Sequence, residues 1–161
     1  HEVKGSIFWL YASNQQSKNN LIKRAELFNI SKERLFFADY IPIRQHLKRH
    51  SQSDLFLDTF NFSAGATAVF SILSCCPIVT YCGNSYYSRM SASLLSSLNL
   101  EELIAYSHQE YKEKAIELAL DNSKYKIIKE KLRKNLNSGE YLSSEIFTRE
   151  LESKFKNILI K

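Results

Sequence analysis

Two apolar runs of strand character, Leu55–Thr59 (LFLDT) and Pro77–Cys82 (PIVTYC), flank a small-residue turn, Ser63-Ala64-Gly65-Ala66-Thr67, that opens a helical stretch. A strand, a glycine-containing turn and a helix N-terminus together make an anion-binding device. The free backbone N–H groups and the positive end of the helix dipole point into one crevice. The strand ends in Asp58 and Thr59, at the edge where open α/β sheets take their ligands. That chemistry suits a phosphate-bearing ligand such as a nucleotide.

The side chains around the turn each admit a plain reading and a chemical one. Asp58 at a strand end is placed like the phosphoacceptor of a receiver domain, but that chemistry needs an acidic pair after the first strand to hold magnesium, and WLYASN offers none. An aspartate that closes the loop by accepting backbone N–H bonds is the better reading. Thr67 can contact phosphate or cap the helix it opens, since both uses draw on the same orphan N–H groups. Tyr86 and Tyr87 could floor a sugar pocket, but core packing is the better reading, and Arg89 reads as structural. Cys75, Cys76 and Cys82 are odd in number, form no CxxC pair and have no nearby histidine, so they read as buried reduced thiols of a cytoplasmic protein.

Around these residues the chain alternates strands and helices. Strands are expected at Ser6–Tyr11 (buried), Arg34–Ala38, Asp54–Asp58, Ile78–Tyr81 and Leu103–Ala105. Helical spacing runs through Leu21, Ile22, Ala25 and Phe28, with Asn29 as a stop, and a short basic helix follows Pro42. Further helices are expected over Ala64–Ser74 and Ser85–Leu98, the second with Tyr87, Met90, Leu94 and Leu98 on its inner face. Ser107 and Glu110 form a capping box for the next. Two more cover about 123–136 and the segment from Ser144, where Phe147, Leu151, Phe155 and Ile158 lie along one stripe. This order predicts βαβ units and a parallel sheet with helices on both faces. The expected organisation is one domain over 1–137, with a C-terminal helical segment over 138–161.

The bulk numbers agree with a folded domain. A chain of 161 residues with 44% hydrophobic and 24% charged positions needs no disulfide or metal staple. Its apolar runs are far shorter than a membrane span. The net charge of +5 concentrates in Arg44–His50 and Lys124–Lys134, but Tyr125, Ile128, Leu132 and Leu136 hold helical spacing, so those lysines read as a solvated face rather than a nucleic-acid surface.

The ordered run LDTF, AGAT, PIVTYCG, SRMSASLL, LEELIA and EYKEKA is similar to the O-linked N-acetylglucosamine transferase family, glycosyltransferase family 41. The likeness extends from SIFWLY to FTRELESKF. It implies the C-terminal, Rossmann-like, nucleotide-sugar-binding half of a two-domain GT-B enzyme. The acceptor and much of the catalytic apparatus would come from the other half, often preceded by tetratricopeptide repeats, so no catalytic residue is assigned in this chain. The donor would be a uridine diphosphate sugar, with no metal or other cofactor.

By this resemblance Ile41 would offer backbone groups to uracil, His46 would lie against the ring and Arg49 would reach it by hydrogen bonding. Ile43 stands where the family usually has a ribose-binding lysine. Gly65, Ala66 and Thr67 match the diphosphate-cradling stretch, and only Thr67 keeps a hydroxyl. Phe70 replaces the aspartate that usually binds ribose hydroxyls, a contact of the charge-assisted kind that contributes roughly 1.5–3 kcal/mol. Two functions follow: the donor-binding half of a glycosyltransferase, or a degenerate module for protein contact. The second requires those apolar replacements, Phe70, Ile43 and Ala66, to sit in a closed core or a protein interface, with no open cleft beside Thr67.

Overall fold

The computed structural model describes residues 1–139 and 143–159. The chain divides into two compact units, His1–His46 and Leu47–Lys161.

In the first unit, β1 (Phe8–Tyr11) and β2 (Leu35–Ala38) pair in parallel, Phe8 opposite Leu35 and Tyr11 opposite Ala38. Helix α1 (Gln15–Glu26) makes the crossover. Asn14 caps it by accepting the Ser17 N–H. Asn29 takes the left-handed conformation that stops it, at φ 54°, and the Ile30 N–H reaches back to the Ala25 carbonyl. The Arg34 guanidinium donates to the Ser6 and Val3 carbonyls and so ties down the segment before β1. The expected buried strand differs from the one observed: β1 starts at Phe8, and Phe8, Trp9 and Tyr11 are exposed. Apolar composition identifies a strand; covering it on both faces takes more than the one neighbouring strand and one helix of this unit.

Helix α2 (Ile43–His50) follows Pro42, whose carbonyl accepts from the Gln45 and His46 N–H groups. In the second unit β3 (Phe56–Leu57), β4 (Ile78–Tyr81) and β5 (Ile104–Ala105) form a parallel sheet in that order. Phe56 faces Ile78 across one ladder and Thr80 faces Ile104 across the other. Among the described residues the strands pair in parallel within each unit, β1 with β2 in the first and β3, β4 and β5 in the second. Periodicity locates strands, whereas the ladder hydrogen bonds decide which strands join.

Helices α3 (Ala66–Leu73), α4 (Met90–Ser97) and α5 (His108–Leu120) all pack against β4, the buried middle strand. Helix α6 (Asn122–Asn137) packs on α3 and α5. Ile72, Ile78, Val79, Leu95, Leu100 and Leu132 are wholly enclosed in the resulting core. This is an α/β fold with parallel strands flanked by helices.

The capping box of α5 forms with a one-residue offset: Ser107 accepts the Glu110 N–H, and the Glu110 carboxylate accepts the Tyr106 rather than the Ser107 N–H. That bond, helped by Lys114, holds the Glu110 carboxyl below its ordinary value. The helix expected over Ser85–Leu98 breaks into a 3₁₀ turn, Tyr87–Arg89, and α4. Tyr87 then faces solvent instead of the core. Of the three cysteines only Cys76 is fully buried, and burial raises its thiol pKa; Cys75 and Cys82 are half-buried. Helix α7 (Ser144–Leu159) carries the expected stripe, but Phe147, Leu151, Phe155 and Ile158 are all exposed.

Candidate functional site

Strand β3 delivers Asp58 to the edge of the sheet, where it is 4% exposed. A buried carboxylate is tolerated only when its oxygens are satisfied. Here Oδ1 accepts the N–H groups of Thr59 and Ala64, both at 2.8 Å, and Oδ2 accepts the Thr80 hydroxyl at 2.7 Å. The Tyr111 hydroxyl of α5 donates to the Asp58 carbonyl at 2.9 Å. Burial, and then the Asp58 charge, push the Tyr111 pKa well above its ordinary value, which keeps that hydroxyl a donor. Asp58 therefore closes the loop through backbone amides, as its strand-end position predicted.

The other side of the turn is held by serines. The Ser91 hydroxyl donates to the Ala64 carbonyl at 2.8 Å, and the Ser91 N–H reaches Ser63 Oγ at 3.3 Å. Ser63 donates to the Tyr87 carbonyl from both its hydroxyl, at 2.7 Å, and its N–H, at 2.9 Å. The peptide units at Ser63 and Ala64 are thus fixed before the helix begins. Sequence reading missed Ser91, because its partner lies 27 positions away and a serine in a helix carries no sign of a long-range bond.

Helix α3 starts with Gly65 as its N-cap and with no side-chain cap. The N–H groups of the first turn have no partner within the helix. Gly65, Ala66 and Thr67 line an open cleft of about 600 Å³ whose other walls include Thr59, Phe62 and Met90. Ala66 and Thr67 are exposed. No cationic side chain lines the cleft among the described residues, so its attraction for an anion comes from backbone amides and the helix dipole. Among the described residues no group of three His, Cys, Asp or Glu side chains could hold a metal ion.

The cleft lies where a phosphate-binding turn was expected, and comparison with known proteins names the relatives. Residues 1–151 match the model of "Glycosyl transferase family 41". The chain belongs to this family. This family 41 chain is 30% identical over 125 residues to a probable UDP-N-acetylglucosamine–peptide N-acetylglucosaminyltransferase SPINDLY of Solanum lycopersicum, covering 75% of the chain and 13% of that protein. It is 29% identical over 119 residues to a UDP-N-acetylglucosamine–peptide N-acetylglucosaminyltransferase of Caenorhabditis elegans, covering 74% of the chain and 10% of that protein. Among solved structures, the K341M mutant of Thermobaculum terrenum O-GlcNAc transferase superposes with a TM-score of 0.85 at 27% identity. The superposition covers 94% of this chain and 30% of that one. The family 41 chain therefore spans a small part of the length of these relatives, and its fold is that of the corresponding part of a GT-B glycosyltransferase.

Not all the expected site residues of the family 41 chain meet at the cleft. Gly65, Ala66 and Thr67 do. Phe70 sits one turn further along α3, half-buried and outside the cleft wall. Ile41, Ile43 and His46 belong to the first unit: Ile41 is half-buried just before α2, Ile43 is its exposed first residue, and His46 is half-buried. Arg49, half-buried in the last turn of α2, belongs to the second unit and does not line the cleft. A cleft does open beside Thr67, contrary to what a degenerate module required.

Proposed function

We propose that this chain is the donor-binding part of a glycosyltransferase that moves a sugar, N-acetylglucosamine or one like it, from a uridine diphosphate carrier to a protein hydroxyl. The observation that carries the reading is the turn at 63–67, clamped by Asp58 and Ser91, with the uncapped N-terminus of α3 facing an open cleft. Membership of family 41 and the names of the relatives support the choice of donor.

Departure of the diphosphate is the step this chain would serve. As the sugar–oxygen bond breaks, negative charge grows on the terminal phosphate. Oriented amides stabilise that charge without having to reorganise. Among the described residues the wall holds no cation, so within this cleft the backbone amides are what a group carrying at least two negative charges would meet. A protein acceptor, and tetratricopeptide repeats to select it, complete the proposal from the remainder of the protein. Ile41, His46 and Arg49 are proposed to hold the uridine.

Isothermal titration of the full-length protein with uridine diphosphate tests the reading. Binding in the micromolar to submillimolar range is expected, roughly 5–8 kcal/mol of binding free energy. No heat at millimolar ligand would overturn it. Phe70 and Ile43, apolar where the family resemblance implies ribose-binding groups, favour a second reading in which the nucleotide is held only weakly and no sugar is transferred. A radiolabelled-sugar transfer assay separates the two.

A further inference from the structure

The segment that joins β3 to the turn supplies one wall of the cleft, and its middle is held by rings instead of hydrogen bonds. Thr59 and Phe62 line the cleft, whereas Phe60 between them does not. No hydrogen bond among the described residues reaches Phe60. Its ring lies against His108 instead, 4.5 Å between centroids at 30°, and meets Tyr111 and Tyr81 edge-on at 5.0 and 5.8 Å. His108 and Tyr81 also touch, at 5.0 Å. These are the offset and edge-to-face arrangements that aromatic pairs favour.

The partners of Phe60 stand on a firm base. Tyr81 ends the central strand β4, and His108 and Tyr111 belong to the first turn of α5. That turn is capped by Ser107 and by the bond from the Tyr106 N–H to Glu110. The Tyr111 hydroxyl also binds the Asp58 carbonyl, where the segment begins. Further along, the Thr59 hydroxyl donates to the Phe62 carbonyl, and Asp58 holds the Thr59 and Ala64 N–H groups. The ends of the segment are therefore fixed by hydrogen bonds, and its centre by the ring clamp.

We propose that His108, which does not line the cleft, is a positioning residue for the donor: stacked on Phe60, it sets the 59–62 wall in place before the nucleotide arrives. The inference rests on the donor-binding reading above and extends it to a side chain that acts through another. A wall left loose would have to be ordered by the ligand, and that cost is taken from its affinity. The strength of one aromatic pair bounds the effect. His108 makes the closest and flattest of the contacts on Phe60, and it is exposed, so replacing it opens no core.

The test is calorimetry with uridine diphosphate on the full-length protein, for wild type, His108→Ala, His108→Phe, Phe60→Leu and the double variant of Phe60→Leu with His108→Ala. Melting curves confirm that each is folded. His108→Ala should weaken binding by roughly three- to tenfold, the range of one aromatic pair, and His108→Phe should return it to within about twofold of wild type. The double variant should bind no more weakly than Phe60→Leu, because both changes remove the same stack. A residue with only a structural role would lower the melting temperature and leave the affinity of the folded protein unchanged. Equal affinity of wild type and His108→Ala would therefore overturn the proposal. Equal weakening by His108→Ala and His108→Phe would overturn it too, since that assigns the effect to imidazole charge or hydrogen bonding. Additive losses in the double variant would show that the two rings act separately and would also overturn it. If wild type binds no uridine diphosphate, the donor-binding reading falls and this role with it; if wild type binds and His108→Ala binds equally well, only the role of His108 falls.

Discussion

Asp58 does most of the local structural work. Its carboxylate accepts from two backbone amides and a buried hydroxyl, so Asp58→Ala leaves the Thr80 hydroxyl and the Ala64 N–H without partners as well as removing a charge. The expected loss is on the order of 3 kcal/mol, read as a lowered midpoint in urea unfolding. The glycines give a sharper contrast. A Cβ at Gly65 would meet nothing nearer than the Met90 thioether at 3.9 Å, whereas one at Gly83 would lie 2.8 Å from Ser88 Cβ and 2.5 Å from Ser88 Oγ. Gly83→Ala should therefore cost about 1–3 kcal/mol by overpacking, and Gly65→Ala, which meets no clash, should cost less, about 0.5–1 kcal/mol for the poorer N-cap. A Gly83→Ala protein as stable as wild type would contradict the close approach of those two segments.

Three helices end by one device. After α1, α3 and α4 a non-glycine residue takes positive φ, at Asn29 (54°), Cys75 (52°) and Asn99 (53°). In each case the next residue's N–H reaches back across the turn, to Ala25, Ser71 and Leu95 respectively. Asparagine tolerates that conformation; cysteine has no side-chain reason to adopt it. Cys75→Gly or Cys75→Asn should raise stability by about 0.5–1 kcal/mol, seen as a higher melting temperature. A fall would mean that the half-buried thiol packs better than its backbone strain costs. Spacing found all of these helices, but their ends moved inward by one or two residues where capping, rather than periodicity, decides.

For the whole molecule, the two groups whose pKa burial raises predict weakness in alkali. Burial raises Cys76 from 9.0 and Tyr111 from 10.0, so the folded chain keeps both neutral where the unfolded chain ionises. Their contribution to stability is complete below those values and declines as pH climbs from about 9 through 10 towards the folded pKa values. Tyr111→Phe should lower stability at pH 7 by about 1 kcal/mol, for the lost bond to Asp58, and flatten the decline above pH 10. Denaturant midpoints between pH 7 and 11 give the comparison, and an unchanged alkaline slope would show that Tyr111 is not the group responsible. Family membership was legible because its carriers are runs of consecutive residues, such as LDTF and PIVTYCG, whose order survives in the sequence alone.

What the sequence by itself determined is the local grammar: which runs make strands, where helices start, and that a glycine turn after Asp58 opens a helix with unsatisfied amides. Each of these depends on neighbours a few positions apart, and short-range sterics and hydrogen bonding suffice for them. Tertiary structure alone decided that Ser91 holds Ala64, that Tyr111 reaches Asp58, that Phe62 and Tyr87 stack in the open, and that Phe70 stays out of the cleft. Those contacts join residues about 25 to 50 positions apart, or depend on how neighbouring elements enclose a side chain. No periodicity encodes them, because they follow from which strand lies beside which and which helix covers the edge.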